Sequence, residues 1–150
     1  MTPEGLLLQG EVVEEGGGFV SCRSPIYSPP KDLSAFIGLK ILVDGKGRTL
    51  KIALASRDRL SGLTDLFGGG LRWVASIPTR IEGTTNILIP FKNFKPTIRA
   101  KKVPLSLEFE PSAIIQFQLL HSKFGEPGEL NPGFQAGSIG VLLRSINAYS

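Results

Sequence analysis

Two runs of alternating side chains, residues 37–43 and 50–55, constrain this chain most. In the first, Leu39, Ile41 and Val43 alternate with Gly38, Lys40 and Leu42; in the second, Leu50, Ile52 and Leu54 alternate with Lys51 and Ala53. Successive side chains of an extended strand point to opposite faces, so an apolar residue at every second position lines one buried face. Aliphatic residues at that period predict strands. Between the runs stands Asp44-Gly45-Lys46-Gly47-Arg48, whose glycines accept the positive φ of a tight reversal. The expectation is a central antiparallel hairpin over residues 36–55, with the other strands packed around it.

The remainder repeats that grammar. With 18 Gly and 11 Pro, almost no window keeps apolar residues at helical spacing without interruption, which excludes long helices. Strands are read at residues 6–14, 19–23, 71–78, 84–90, 113–120 and 138–149, with a short edge strand at 105–109. Glu82-Gly83 turns a second hairpin between 71–78 and 84–90. Asp32 is placed to cap one helical turn. Residues 91–104 read as a long crossing loop. In the strand at 113–120, Ile115, Phe117 and Leu119 are expected to face one way, Gln116 and Gln118 the other. No repeat or composition break divides the chain, so residues 1–150 read as one domain: an all-β sandwich of about eight or nine antiparallel strands.

Composition also narrows the chemistry. Cys22 is the only cysteine, so no internal disulfide forms, and its expected role is that of a small buried hydrophobe. No apolar run approaches the ~20 residues of a membrane-spanning helix. The opening Met1-Thr2-Pro3-Glu4 has neither the basic region nor the apolar core of a signal or transit peptide. The chain has no Asn-x-Ser/Thr acceptor, which disfavours secretion. His121, the single histidine, ends an apolar strand with no acid beside it, so a Ser-His-Asp site has no support. One Cys and one His are too few for zinc. The glycines at 44–48 and 68–70 open no Gly-Lys-Ser/Thr or Gly-x-Gly-x-x-Gly motif, so no nucleotide cofactor is expected. Glu14, Glu15, Asp32 and Asp44 are oxygen donors whose spacing selects no calcium geometry. Arg23 is expected to form an ion pair with Asp32 or Asp44.

What remains is surface contact. The net charge is +4, and Lys92, Lys95, Arg99, Lys101 and Lys102 form a basic segment interleaved with Phe91 and Phe94. Pro90 and Pro96 bracket a corner in which the rings are expected to pack while the cations stay solvated. Phe91, Lys92, Lys95, Arg99, Lys101 and Lys102, with Phe124 and Phe134 of the Gly/Pro-rich loop 123–136, are the candidate partner-binding residues, expected on loops at one end of the sandwich. Two other readings stay open. One is single-stranded RNA at the basic loop 91–102. The other is a carbohydrate-binding module with Trp73, Tyr27 and Tyr149 as candidate platforms.

Several short segments occur in a telling order: Gly17-Gly-Phe-Val-Ser-Cys-Arg, Asp32-Leu-Ser-Ala-Phe-Ile-Gly-Leu, Asp44-Gly-Lys-Gly-Arg, Ile89-Pro-Phe-Lys-Asn-Phe and Ser145-Ile-Asn-Ala-Tyr. The set resembles the complex I intermediate-associated protein family over about residues 10–149. Ser122-Lys-Phe-Gly and Leu130-Asn-Pro-Gly-Phe-Gln-Ala-Gly look most like its plant and cyanobacterial branch. Thr84-Thr85-Asn86 stands where the family usually has a Trp, and Asp44-Gly-Lys-Gly-Arg replaces its usual Gly-Asp-Gly-Arg. The resemblance implies a galactose-binding-like jelly-roll sandwich without catalytic residues or cofactor. It further implies assistance to assembly of a membrane electron-transport or photosynthetic complex, with protein subunits as partners, peripheral membrane contact, and an organellar location, chloroplast ahead of mitochondrion.

Overall fold

The computed structural model describes residues 4–13, 15, 18–57, 71–98, 101–102, 107–124 and 130–150. Ten strands follow in chain order: β1 (Leu6–Val12), β2 (Phe19–Arg23), β3 (Gly38–Asp44), β4 (Thr49–Ser56), β5 (Leu71–Pro78), β6 (Thr85–Pro90), β7 (Lys95–Ile98), the two-residue β8 (Lys101–Lys102), β9 (Ile114–Ser122) and β10 (Gly137–Tyr149). They form two sheets, ordered β1-β10-β3-β6 and β2-β9-β4-β5-β7-β8, with every pairing antiparallel. The core lies between them. Leu39, Ile41 and Val43 on β3 face Leu50, Ile52 and Leu54 on β4, joined by Trp73, Ile77, Ile89 and Val141. All-β, two-sheet and jelly-roll in kind, this is the expected class.

The central hairpin is not a hairpin. β3 pairs with β10 and β6, whereas β4 pairs with β9 and β5, so the two runs belong to opposite sheets. Their apolar faces look at one another across the interior instead of sharing one face. Period two specifies which face is buried, not which strand is the neighbour. The second expected hairpin is corrected likewise: β5 lies in the six-stranded sheet and β6 in the four-stranded one. Residues 44–48 and 79–84 are therefore arches over one end of the sandwich, and they bind each other. Lys46 and Gly47 take φ of 54° and 87°, and Arg48 N donates to Gly45 O at 3.1 Å. Gly47 N donates to Arg80 O at 2.8 Å, Thr79 Oγ1 to Arg48 O and Thr84 Oγ1 to Asp44 Oδ1 at 2.6 Å. Of the two glycines only Gly47 takes the expected positive φ, with Lys46 beside it, and the turn closes an arch against a second arch.

Four smaller expectations change. Asp32 caps no helix: its Oδ1 accepts from Ser34 N and Oγ at 2.9 and 2.6 Å in a local turn. The loop expected at 91–104 is a single 3₁₀ turn, Phe91–Asn93, followed by β7 on the flank of β5. Pro96 lies opposite Trp73 and beyond the reach of β8, an edge position of the kind a strand gives to proline. Residues 107–109 form no strand, yet Phe109 packs its ring against Trp73, Phe91 and Phe94 at 5.2–5.9 Å; Leu105 lies outside the described residues. On β9 the register with β4 slips between Ala55 and Ser56. That bulge shifts the phase by one residue, so Ile114 is buried in the core and Ile115 is not.

Candidate docking surface

The outer face of the six-stranded sheet is basic among the described residues. The strand register places Phe19, Ser21 and Arg23 of β2, Gln116, Gln118 and Leu120 of β9, Lys51, Ala53 and Ala55 of β4, Arg72, Val74 and Ser76 of β5, and Lys95 and Thr97 of β7 on this side. β4 is central and its outward Ala53 and Ala55 are short, so longer neighbours on β9 and β5 rise on both sides. Ala53 and Ala55 are each only 3% exposed although they point away from the core. The face is a trough with an alanine floor. Arg23, Lys51, Arg72 and Lys95 stand in or around it, and no Asp or Glu is among the described residues that face this way.

Burial acts on these cations. Desolvation pushes the Lys51 ammonium below its ordinary value. The Arg72 guanidinium is also pushed down, first by burial and then by repulsion from Arg23, so the two guanidinium groups sense each other across the sheet. A negative group laid along the trough relieves that repulsion. Gln116 Nε2 donates to Ser24 O at 2.9 Å, which ties the loop after β2 to the trough rim.

The expected partner residues are divided by the fold. Pro90 pairs with Gly38 at the start of β3, so Phe91 and Lys92 sit at one end. Phe124 and Phe134 lie at the other, where β9 ends and Thr49 N donates to Gly133 O at 3.2 Å. The two loops are thus on opposite ends, and their shared-end placement is corrected. Phe91 is removed from the contact set: it is buried with Phe94 against Phe109, because the tight 3₁₀ corner turns both rings inward. Lys92 and Lys95 are exposed, and Phe124 is 49% exposed. Phe134 stacks on His121 at 5.3 Å. Arg99 lies outside the described residues; the backbones of Lys101 and Lys102 form β8. Lys51 and Arg72 were missed because each reads as the polar half of an alternating strand. Their signal was there in the alanines beside them, small residues that make an outer face a hollow.

His121 is a structural residue. It is fully buried, Nδ1 lies 3.0 Å from Thr49 O, and Gln135 N donates to Nε2 at 3.2 Å. Nε2 is an acceptor and so carries no proton, which leaves Nδ1–H to donate to Thr49 O. Desolvation is the main force pushing its pKa down. Asn131 completes this seam. Its amide donates to Thr49 O and Ser122 O, each at 3.0 Å, and its oxygen accepts from Gly133 N at 2.9 Å.

The proposed oxygen donors do not converge: Asp44 is gripped by Arg144 at 2.7 Å at the arch end, and Asp32 turns on Ser34 at the other. Both of these contacts lower the carboxylate pKa, and neither acid pairs with Arg23. Glu14 lies outside the described residues. No group of three or more His, Cys, Asp or Glu able to hold a metal occurs among the described residues. Cys22 packs inward, its thiol pushed up by burial. Trp73 is 1% exposed and offers no sugar platform. No described helix is long and apolar enough to cross a membrane.

Comparison with known proteins agrees with this architecture. The family model described as Complex I intermediate-associated protein 30 (CIA30) matches residues 1–141. Among curated proteins no significant sequence relative is found. Among solved structures the chain is similar to the family 11 carbohydrate-binding module of a cellulosomal cellulase of Clostridium thermocellum. The TM-score is 0.61 at 15% identity, over 99% of this chain and 91% of that one. The same bacterium's module in complex with a β-1,3-1,4-mixed-linked tetrasaccharide gives 0.58 at 15% identity, over 100% and 91%. At that identity the likeness is one of fold.

Proposed function

This chain belongs to the complex I intermediate-associated protein 30 family, and from that premise we propose that it is a non-catalytic protein-binding module assisting assembly or stabilisation of a membrane electron-transport complex. The supporting observation is the trough on the six-stranded sheet, with Arg23, Lys51, Arg72 and Lys95 around an alanine floor and no acid among the described residues that face it. A rigid sheet offers a fixed pattern of cations at low entropic cost, which suits an extended acidic segment of a subunit awaiting its neighbours. The proposal extends to the plant and cyanobacterial branch, on Ser122-Lys-Phe-Gly and Leu130-Asn-Pro-Gly-Phe-Gln-Ala-Gly, and so to photosynthetic complexes at a chloroplast membrane, including service as an accessory subunit.

Glycan binding by stacking would have a single exposed ring on this face, Phe19 at the β2 edge, since the described residues from β9 to β7 carry none. RNA binding at 91–102 needs rings beside cations, and Phe91 and Phe94 are buried.

The test is affinity capture from solubilised organelle membranes with the native chain and with Arg23→Glu/Arg72→Glu. The expected result is recovery of electron-transport or photosynthetic subunits that drops about tenfold with the double variant, the loss of one or two charge-assisted contacts. Recovery of no such subunit by the native chain overturns the proposal, as does equal recovery by the variant.

A further inference from the structure

The β1 and β2 edges meet near Gly10 and Val20 and part toward Leu6 and Arg23. A cleft of about 650 Å³ opens there, within the range of ligand sites. Its walls come from both sheets: Leu39, Leu143 and Ile146 from one, Phe117 and Leu119 from the other. Ala148 stands opposite Leu39 in the β10–β3 ladder, and its small side chain leaves room where an aliphatic one would fill the interior. The segment between β2 and β3 forms the side wall, anchored by Tyr27 N donating to Ile115 O and Lys31 N to Ile114 O, both at 2.8 Å.

The polar lining is one-sided. Lys31 is the charged side chain at its lip, and no carboxylate lines the cleft among the described residues; Arg23 and Gln118 border it with their backbone, their side chains lying on the outer face of the sheet. Lys31 is held in place: its Nζ sits 4.7 Å from the centroid of the Tyr27 ring. That ring in turn meets Phe117 edge-on at 5.9 Å. An apolar bore with a cation at its lip selects a molecule with an apolar body and an anionic head. A sugar leaves its hydroxyl groups unpaired against such walls, and a neutral hydrocarbon makes no use of the Lys31 ammonium.

We propose that this cleft binds a single-chain anionic amphiphile, its chain between the sheets and its acidic head at Lys31. This site is distinct in chemistry from the trough and does not depend on the docking function.

Isothermal calorimetry on the whole chain tests it, with dodecanoate, dodecyl phosphate and dodecanol below their aggregation thresholds, and with phosphatidylcholine vesicles containing phosphatidate. The expected result is saturable binding of both anionic monomers, at least about tenfold tighter than dodecanol, the discrimination a charge-assisted contact gives. Lys31→Ala should abolish most of that preference. Cys22 lines the cleft, so bound dodecanoate should slow its alkylation several-fold in the unaltered chain, a readout that needs no variant to fold. The proposal is overturned by absence of monomer binding, by equal affinity for acid and alcohol, by binding confined to vesicles, or by unchanged alkylation at saturation.

Discussion

Acidification should loosen this protein through one proton on one side chain. His121 is fully buried with Nε2 accepting from Gln135 N and Nδ1–H facing Thr49 O. A protonated ring presents N–H to Gln135 N–H, two donors face to face, inside a desolvated site that also feels Arg48 and Lys51. The folded-state pKa is therefore lowered from the free value of about 6.5. Above ~6.5 the ring is neutral in folded and unfolded chains alike, and its contribution is fully present. Below ~6.5 the unfolded chain takes up a proton that the folded chain refuses, so stability falls with falling pH. The limiting slope is about 1.4 kcal/mol per pH unit for one proton, and it flattens once pH passes the folded pKa.

No other histidine titrates in this range, and Trp73, the single tryptophan, is a buried reporter of unfolding. Urea melts followed by Trp73 fluorescence at pH 7.5, 6.5 and 5.5 should show a midpoint that drops on acidification. His121→Gln keeps a neutral amide there and should lose most of that pH dependence. A flat native profile, or an equal slope in the variant, refutes the tautomer and its role.

Other outcomes follow from the packing. Gly38→Ala should cost about 1–3 kcal/mol in urea melts, because a Cβ there collides with the Ile89 carbonyl and Pro90 backbone of β6; a neutral result contradicts the close β3–β6 approach. Ile114→Ala should cost about 2–5 kcal/mol and Ile115→Ala about 1 kcal/mol or less, since the bulge seats only the former in the core; a reversed order places the bulge elsewhere. Asn131→Ala should cost about 1–3 kcal/mol by removing a donor from each of Thr49 O and Ser122 O and the acceptor of Gly133 N. It should also speed amide exchange at Gly133 and Gln135, and unchanged exchange sinks the seam.

Strand positions were largely legible because period two is a local signal, and eight of the ten strands fall on segments that carry it or on short β-branched runs. Core membership followed: Leu39, Ile41, Val43, Leu50, Ile52 and Leu54 are all inside. Pairing was not legible. Asp44-Gly45-Lys46-Gly47-Arg48 bends the chain equally well into a hairpin or an arch, and the choice was made by distant partners, β10 and β6 for one strand and β9 and β5 for the other. β7 hid behind Pro96, whose edge position only the assembled sheet reveals. The trough was hidden for a similar reason. Lys51 and Arg72 lie 21 positions apart in the chain, and only the β4–β5 register sets them on one face.

Site-specific photo-crosslinking puts the docking claim to its plainest trial. A photoreactive residue at Ser76, on the trough side of β5, is compared with one at Asn86, on the outward side of β6 in the other sheet. Docking through the six-stranded sheet predicts adducts with an electron-transport subunit from position 76 and none from position 86. Adducts from 86 alone, or from both positions equally, contradict it.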